Sequence, residues 1–206
     1  GLMRSATFGE ELDLLYPIIE AGGSDSAGFD NVLELLVVNN VLTLPQAVMM
    51  MVPEAWQGNE DKMDPAKVAF YQWAACLMEP WDGPALFTFC DGRFCGANLD
   101  RNGLRPCRWV TTNEDTMICA SEVGAISLAP ESITAKGRLR PGRMLLVDTQ
   151  EGRVVDDREL KSSTSHLADF AAWIEHNLLR LPDIVKAVRA ESPQAVSYTH
   201  LRAHET

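Results

Sequence analysis

An α+β fold, with helices first and an antiparallel sheet after them, is what this sequence predicts, and three observations carry it. Apolar side chains recur at helical spacing in Phe29, Val32, Leu33 and Leu36, and again in Phe70, Trp73, Ala74 and Leu77. From Pro84 the helical period gives way to short apolar runs separated by turn residues. Two of those turns, Asp91-Gly92 and Asn102-Gly103, are dipeptides that supply the positive φ of tight hairpins.

Taken in order, residues 7–21 read as a helix or turn followed by an apolar run at 14–19, which has the look of a strand. Glycines then make a turn, and a helix is expected from about residue 27 to 39. Thr43 and Pro45 restart a helix, Thr43 as cap and Pro45 in the first turn, where no amide donor is needed. Met49, Met50 and Met51 on it are expected in the core, and Pro53 ends it. Residues 54–62 form a polar connection. Asp64-Pro65 opens the longest helix, which should cover a sheet. Residues 86–90, 94–99, 106–110 and 116–120 read as strands of an antiparallel meander, turning at Asp91-Gly92, Asn102-Gly103 and residues 113–115. Residues 121–126 leave the sheet. Pro141-Gly142 leads into a strand over 144–148 that turns at Glu151-Gly152. The chain is polar over 161–165, and a last helix carries Leu167, Phe170, Ala171, Ile174 and Leu178 on one face.

The 206 residues are 46% hydrophobic and 23% charged, which suits one domain, or one with part of another. A net charge of -11 with scattered Lys and Arg argues against nucleic acid as a partner. No apolar run approaches the ~18 residues of a membrane span, and the first residues lack signal-peptide character, so no membrane is expected and the cytoplasm is the expected compartment. Five cysteines, Cys76, Cys90, Cys95, Cys107 and Cys119, read as buried thiols, although Cys90 and Cys95 face each other across a short turn. No CxxC spacing suggests zinc, and no metal site is expected.

The chemistry concentrates in Gly22-Gly23-Ser24-Asp25-Ser26-Ala27-Gly28-Phe29-Asp30-Asn31. Asp25 sits between two serines at a helix start, where the dipole favours an ionised carboxylate. One reading is ordinary N-capping. The other is that Asp25 receives a cation, most simply the ammonium of an amino acid, through charge-assisted hydrogen bonds.

Beside that turn stand Glu79-Pro80-Trp81-Asp82-Gly83-Pro84-Ala85 and Leu99-Asp100-Arg101-Asn102-Gly103-Leu104-Arg105-Pro106, followed by Ser121-Glu122-Val123-Gly124 and Pro141-Gly142-Arg143-Met144. Together and in this order they resemble the glutamine amidotransferase domain of the large subunit of glutamate synthase, over nearly all of residues 1–190. The resemblance implies a class II, N-terminal-nucleophile enzyme and part of a four-layer αββα sandwich. In that family an N-terminal cysteine, with its α-amino group as base, attacks the glutamine amide, and an Asn-Gly pair forms the oxyanion hole. Residue 1 here is Gly, so the catalytic Cys and the Asn-Gly pair are expected upstream, and these residues alone are expected to be inactive. The resemblance assigns Asp25 to the glutamine α-ammonium, with Gly23, Ser24 and Ser26 shaping its loop. Arg101, Asn102, Gly103 and Arg105 have two readings: a hairpin held by ion pairs, or a border of the site or ammonia exit.

The resemblance further implies FMN and an iron-sulfur cluster elsewhere in the whole enzyme, with none in this stretch. Implied partners are glutamine, the remaining synthase domains and a small electron-donating subunit, with 2-oxoglutarate receiving the ammonia. Residues 1–155 are then the C-terminal part of the amidotransferase domain, and 156–195 a linker helix toward the central domain. Residues 196–206 read as the one-frame translation of a sequencing adapter, so the i, i+4 pair His200 and His204 is given no function. Two other readings stay open. Ala21-Gly22-Gly23-Ser24-Asp25-Ser26 nearly spells the SGGxDS phosphate loop of ATP-dependent adenylating enzymes, although that loop belongs in a parallel sheet. A non-catalytic interaction module is the third.

Overall fold

The computed structural model describes residues 5, 6 and 8–191. His200, His204 and the rest of residues 196–206 lie outside them. The α+β expectation holds. Helices α1 (Asp25–Val38), α2 (Leu44–Met51) and α3 (Pro65–Leu77) precede strands β1 (Leu86–Cys90), β2 (Phe94–Leu99), β3 (Arg108–Thr112) and β4 (Met117–Ala120). Strands β5 (Ile133–Arg138), β6 (Met144–Asp148) and β7 (Arg153–Val155) follow, then α4 (Asp157–Ser165), α5 (Phe170–Asn177) and α6 (Leu181–Glu191).

The helix starts follow their capping chemistry. Gln46 Oε1 accepts from the Thr43 amide at 3.0 Å, and Pro45 spends no donor in the first turn of α2. Asp64 Oδ1 accepts from the Ala66 amide at 2.9 Å to open α3 at Pro65.

The strands form two antiparallel sheets rather than one meander, in the orders β1-β2-β6-β7 and β4-β3-β5. The Asp91-Gly92 hairpin forms as expected and pairs Cys90 with Cys95. Asn102-Gly103 does not make a hairpin. It turns the chain from β2 in one sheet to β3 in the other, because β2 takes β6 as its second neighbour, Phe94 opposite Asp148 and Asn98 opposite Met144. Strand β5, which the sequence did not announce, pairs with β3.

Alternation along the strands splits the apolar residues between two cores. Phe87, Phe89, Phe94, Met144 and Leu146 face the helices and join Val48, Met49, Met50, Phe70 and Phe170. Leu86, Ala97, Leu99 and Leu145 face the other way and meet Cys107, Cys119 and Leu139 of the second sheet. The described residues therefore stack as helices, four-stranded sheet and three-stranded sheet, three layers of the expected sandwich. The methionines of α2 fill the core as read from the sequence.

Four local expectations are corrected. Of the five cysteines read as buried thiols only Cys107 is fully buried, while Cys76 and Cys90 are exposed. Residues 14–19 are not a strand: a 3-10 helix spans Gly9–Leu15, Leu14 is 81% exposed, and Pro17 removes a ladder donor. Helix α3 packs chiefly on α5, α4 and α2, and it is α2 that touches β2. Residues 161–165, read as a polar stretch before the last helix, belong to α4, with Lys161, Thr164 and Ser165 buried beside Leu160.

Candidate functional site

The glycine turn delivers Asp25 to the first position of α1. Gly22 takes φ +81°, which a side chain would strain, and the Gly23 amide donates to Glu20 O at 3.3 Å. Asn31 on the next helical turn reaches back, its Oδ1 accepting from the Glu20 amide at 3.2 Å, and so ties the approach to the helix.

Capping and cation binding fall to different residues. Ser24 is the cap: its Oγ accepts from the Ala27 amide at 3.2 Å and lies 3.1 Å from Ser26 Oγ. Asp25 uses only Oδ1 internally, accepting from the Ser26 amide at 2.7 Å. The carboxylate is exposed and makes no ion pair among the described residues. An anion is thus held at the positive end of a 14-residue helix with one oxygen open.

An aromatic trio that the sequence did not single out fixes this helix end. Phe29 stacks on Phe87 of β1 at 4.3 Å, and Trp81 meets both rings edge-on, at 5.6 Å to Phe29 and 4.9 Å to Phe87. Trp81 is itself anchored, its amide donating to Met51 O at 2.8 Å and its indole Nε1 to Gly83 O at 2.9 Å. The motif at 79–85 therefore serves the turn at 22–31 directly. A cleft of about 320 Å³ opens beside it, lined by Ser26, Phe29, Asp30, Phe87, Thr88 and Cys90 among others.

Arg101, Asn102, Gly103 and Arg105 do not line that cleft. Arg101 pairs with Asp82 at 2.9 Å and lines a separate cavity of about 190 Å³ with Glu54, Trp56, Tyr71 and Trp81. Gly103 and Arg105 line a groove at the end of the β3–β5 pair instead. The turn itself is organised by buried Asp100, whose carboxylate accepts from the amides of Ala85, Asn102 and Gly103 at 3.3, 2.9 and 3.2 Å. Gly103, at φ +63°, packs flat against Pro141, and the Gly142 amide donates to Asp100 O at 2.9 Å.

Behind Gly142 lies a charged network that sequence reading missed. Lys161 Nζ, almost fully buried, donates to Gly142 O at 2.6 Å and stands 3.0 Å from Asp157 and 3.4 Å from Glu54. Lys67 adds a second cation to Glu54 at 2.9 Å, and Tyr71 OH donates to the same carboxylate at 3.2 Å. Arg143 and the Met144 amide donate to Asp157. Burial alone would push both carboxyls up, but the cations and hydrogen bonds outweigh it and hold Glu54 and Asp157 below their ordinary values. Burial, with Glu54 beside it, lifts the Tyr71 phenol well above its usual value.

Among the described residues no three His, Cys, Asp or Glu side chains gather as a metal site, and no described helix is long and apolar enough to cross a membrane.

The sequence is similar to known proteins. The sequence model of the family described as glutamine amidotransferases class-II matches residues 1–173. A glutamate synthase [NADH] of Schizosaccharomyces pombe is 61% identical over 188 residues, 91% of this chain and 9% of the relative. Its Saccharomyces cerevisiae counterpart is 59% identical over 185 residues, 90% of this chain and 8% of the relative. The glutamate synthase [NADPH] large chain of Bacillus subtilis is 44% identical over 180 residues, 87% of this chain and 12% of the relative. The chain thus spans roughly a tenth of the length of these relatives.

Proposed function

The chain belongs to the class-II glutamine amidotransferases, and from that premise we propose that Asp25 receives the α-ammonium of glutamine in the glutaminase step of a glutamate synthase. The observation that carries the reading is the division of labour at the turn. Ser24 caps α1, which leaves the Asp25 carboxylate exposed, with no ion pair among the described residues and with one oxygen open. An ammonium offers three N–H donors, and a hydrogen bond to a charged partner contributes about 1.5–3 kcal/mol. Gly23, Ser24 and Ser26 shape the loop, and the Phe29, Trp81 and Phe87 rings hold it against β1.

In this reading the released ammonia passes to 2-oxoglutarate in other synthase domains, which also hold FMN and the iron-sulfur cluster that supply its reduction. The names of the relatives give NADH, NADPH or ferredoxin as the electron source of those proteins. Residues 156–195 lead toward those domains, with α4 and α5 docked on the core and Ile184, Val185 and Val188 of α6 exposed. In this reading the compartment is the cytoplasm. In this account none of the five cysteines of these residues serves as the nucleophile. Cys90 reaches the cleft, yet its hydrogen-bond partners are Cys95 and the Gly92 amide, neither of them a general base. Arg101, Asn102, Gly103 and Arg105 act in this account as a brace at the connection from β2 to β3, outside the cleft beside α1.

The test is glutamine binding by calorimetry to the full-length chain and to Asp25→Ala. Loss of most of the affinity supports the role, and an unchanged dissociation constant overturns it.

A further inference from the structure

We propose that Cys90 and Cys95 are a reversible thiol-disulfide site beside the Asp91-Gly92 turn of the β1–β2 hairpin, oxidised by a low-molecular-weight disulfide such as glutathione disulfide. The inference does not depend on the glutamine reading. Cys90 ends β1 directly opposite Cys95 in β2, with the sulfurs 3.0 Å apart. The Asp91 amide donates to Phe94 O at 3.1 Å, so residues 91 and 94 are the hydrogen-bonded pair of the ladder. Cys90 and Cys95 are then the adjacent non-bonded pair, the closer of the two cross-strand spacings at ~4.5 Å between Cα atoms. That spacing falls within the range a disulfide accepts.

The turn between them is pinned. Asp91 Oδ1 accepts from the Arg93 amide at 3.0 Å and the Phe94 amide at 2.7 Å, and Gly92 takes φ +94°. The two thiols therefore meet without ordering any further chain, which removes most of the entropic cost of closing the bridge.

The pair is also asymmetric in the way an attacking and a resolving thiol must be. Cys90 is exposed and Cys95 half-buried. The Cys95 thiol and, more weakly, the Gly92 amide hydrogen-bond to Cys90 sulfur and hold its thiol below the usual value, against burial and the nearby Asp91 charge. Sharing that same contact raises Cys95. Cys90 as thiolate attacks one sulfur of glutathione disulfide, breaking its S–S bond and releasing one glutathione thiolate. Cys95, losing its proton to solvent, attacks the Cys90 sulfur of the mixed disulfide and expels the second glutathione. Two protein thiols lose two electrons, and one disulfide becomes two thiols.

Cys90, exposed at the end of β1, lies on the face of the strand that alternation shares with Leu86, as Cys95 does with Ala97 and Leu99, so a glutathione held on Cys90 stands at the open edge of the hairpin until Cys95 clears it. The other close pair lacks such access: Cys107 and Cys119, 2.8 Å apart, belong to the core between the sheets, and Cys107 is buried. Intracellular disulfides in mesophiles are mostly transient and redox-sensing.

The experiment treats the full-length chain with excess glutathione disulfide, blocks free thiols with iodoacetamide and digests with trypsin without reductant. Arg93 lies between the two cysteines, so the bridge joins peptide 68–93 to peptide 94–101, and fragmentation assigns it to Cys90 rather than to Cys76 of the same peptide. The expected result is that most Cys90 and Cys95 are linked and become alkylated again after dithiothreitol. In Cys95→Ser, Cys90 accumulates a glutathione adduct; in Cys90→Ser, Cys95 stays free and is alkylated. Alkylation of both cysteines in the treated parent chain overturns the proposal. So does a bridge from either to Cys76, Cys107 or Cys119, or the absence of an adduct on Cys90 in Cys95→Ser.

Discussion

Replacing Lys161 by Met keeps the buried stem and removes only the charged end, which makes Lys161→Met the sharpest probe of the network behind Gly142. Three contacts vanish: the 2.6 Å donation to Gly142 O and the pairs with Asp157 and Glu54. Breaking a buried pair by removing one partner costs about 3–5 kcal/mol. Here each carboxylate keeps a cation, Lys67 for Glu54 and Arg143 for Asp157, which argues for the lower end. The expected loss is therefore about 3 kcal/mol, with the bare Gly142 carbonyl as one part of it. For a chain of this size that lowers Tm by about 6–12 °C. The pH dependence has a definite sign. Glu54 and Asp157 have folded pKa values below their unfolded ones, so their contribution is complete above the unfolded carboxylate value near ~4 and is lost as pH falls through the folded values. The gap between parent and variant, followed by circular dichroism on heating, should be full at neutral pH and shrink on acidification. A variant within about 0.5 kcal/mol of the parent, the range of ordinary surface changes, would refute the idea that Lys161 holds the turn at 141–142 in place.

Two further predictions follow from the turns and strands. In Gly103→Ala the new Cβ would stand 2.5 Å from Pro141 Cγ and 2.8 Å from its Cα, at φ +63°. The left-handed backbone and the overpacking together should cost about 3 kcal/mol in chemical denaturation, and a neutral substitution would mean the two turns do not pack. Asp148 accepts both oxygens' worth of donation from Arg93 across the β2–β6 pair, which, with the Glu151 and Gln150 amides, holds its carboxyl at about 2. Its contribution is present above the unfolded value and lost as pH falls toward about 2; a carboxyl carbon titrating near the ordinary ~4 by NMR would contradict this pair.

How much of this was legible in the sequence depends on how far each signal reaches along the chain. The caps at Thr43 and Asp64, the methionine core of α2 and the Asp91-Gly92 hairpin are local, and they were read correctly. Asn102-Gly103 was read correctly as a turn but wrongly as a hairpin, since the partner of β2 is β6, some fifty residues away. Strand β5 was invisible because Ile-Thr-Ala-Lys-Gly-Arg offers almost no apolar alternation, and its Gly137 lies under the Trp109 ring, where a Cβ would come within 2.5 Å. Helix α4 is polar in composition yet partly buried, because Lys161 finds Glu54 more than a hundred residues earlier. At the turn, sequence placed the cap and the anion together, while only coordinates could assign the cap to Ser24 and leave Asp25 open.

The account turns on the claim that the Asp25 carboxylate recognises an α-ammonium, and the most direct measurement is a two-by-two binding cycle on the full-length chain. Glutamine and its analogue lacking the α-amino group, 4-carbamoylbutanoate, are titrated calorimetrically into the parent and into Asp25→Asn. The account predicts that the substitution weakens glutamine by roughly ten- to a hundredfold, as the loss of ~1.5–3 kcal/mol requires, and leaves the analogue nearly unchanged. Equal weakening of both ligands, or of neither, would contradict it.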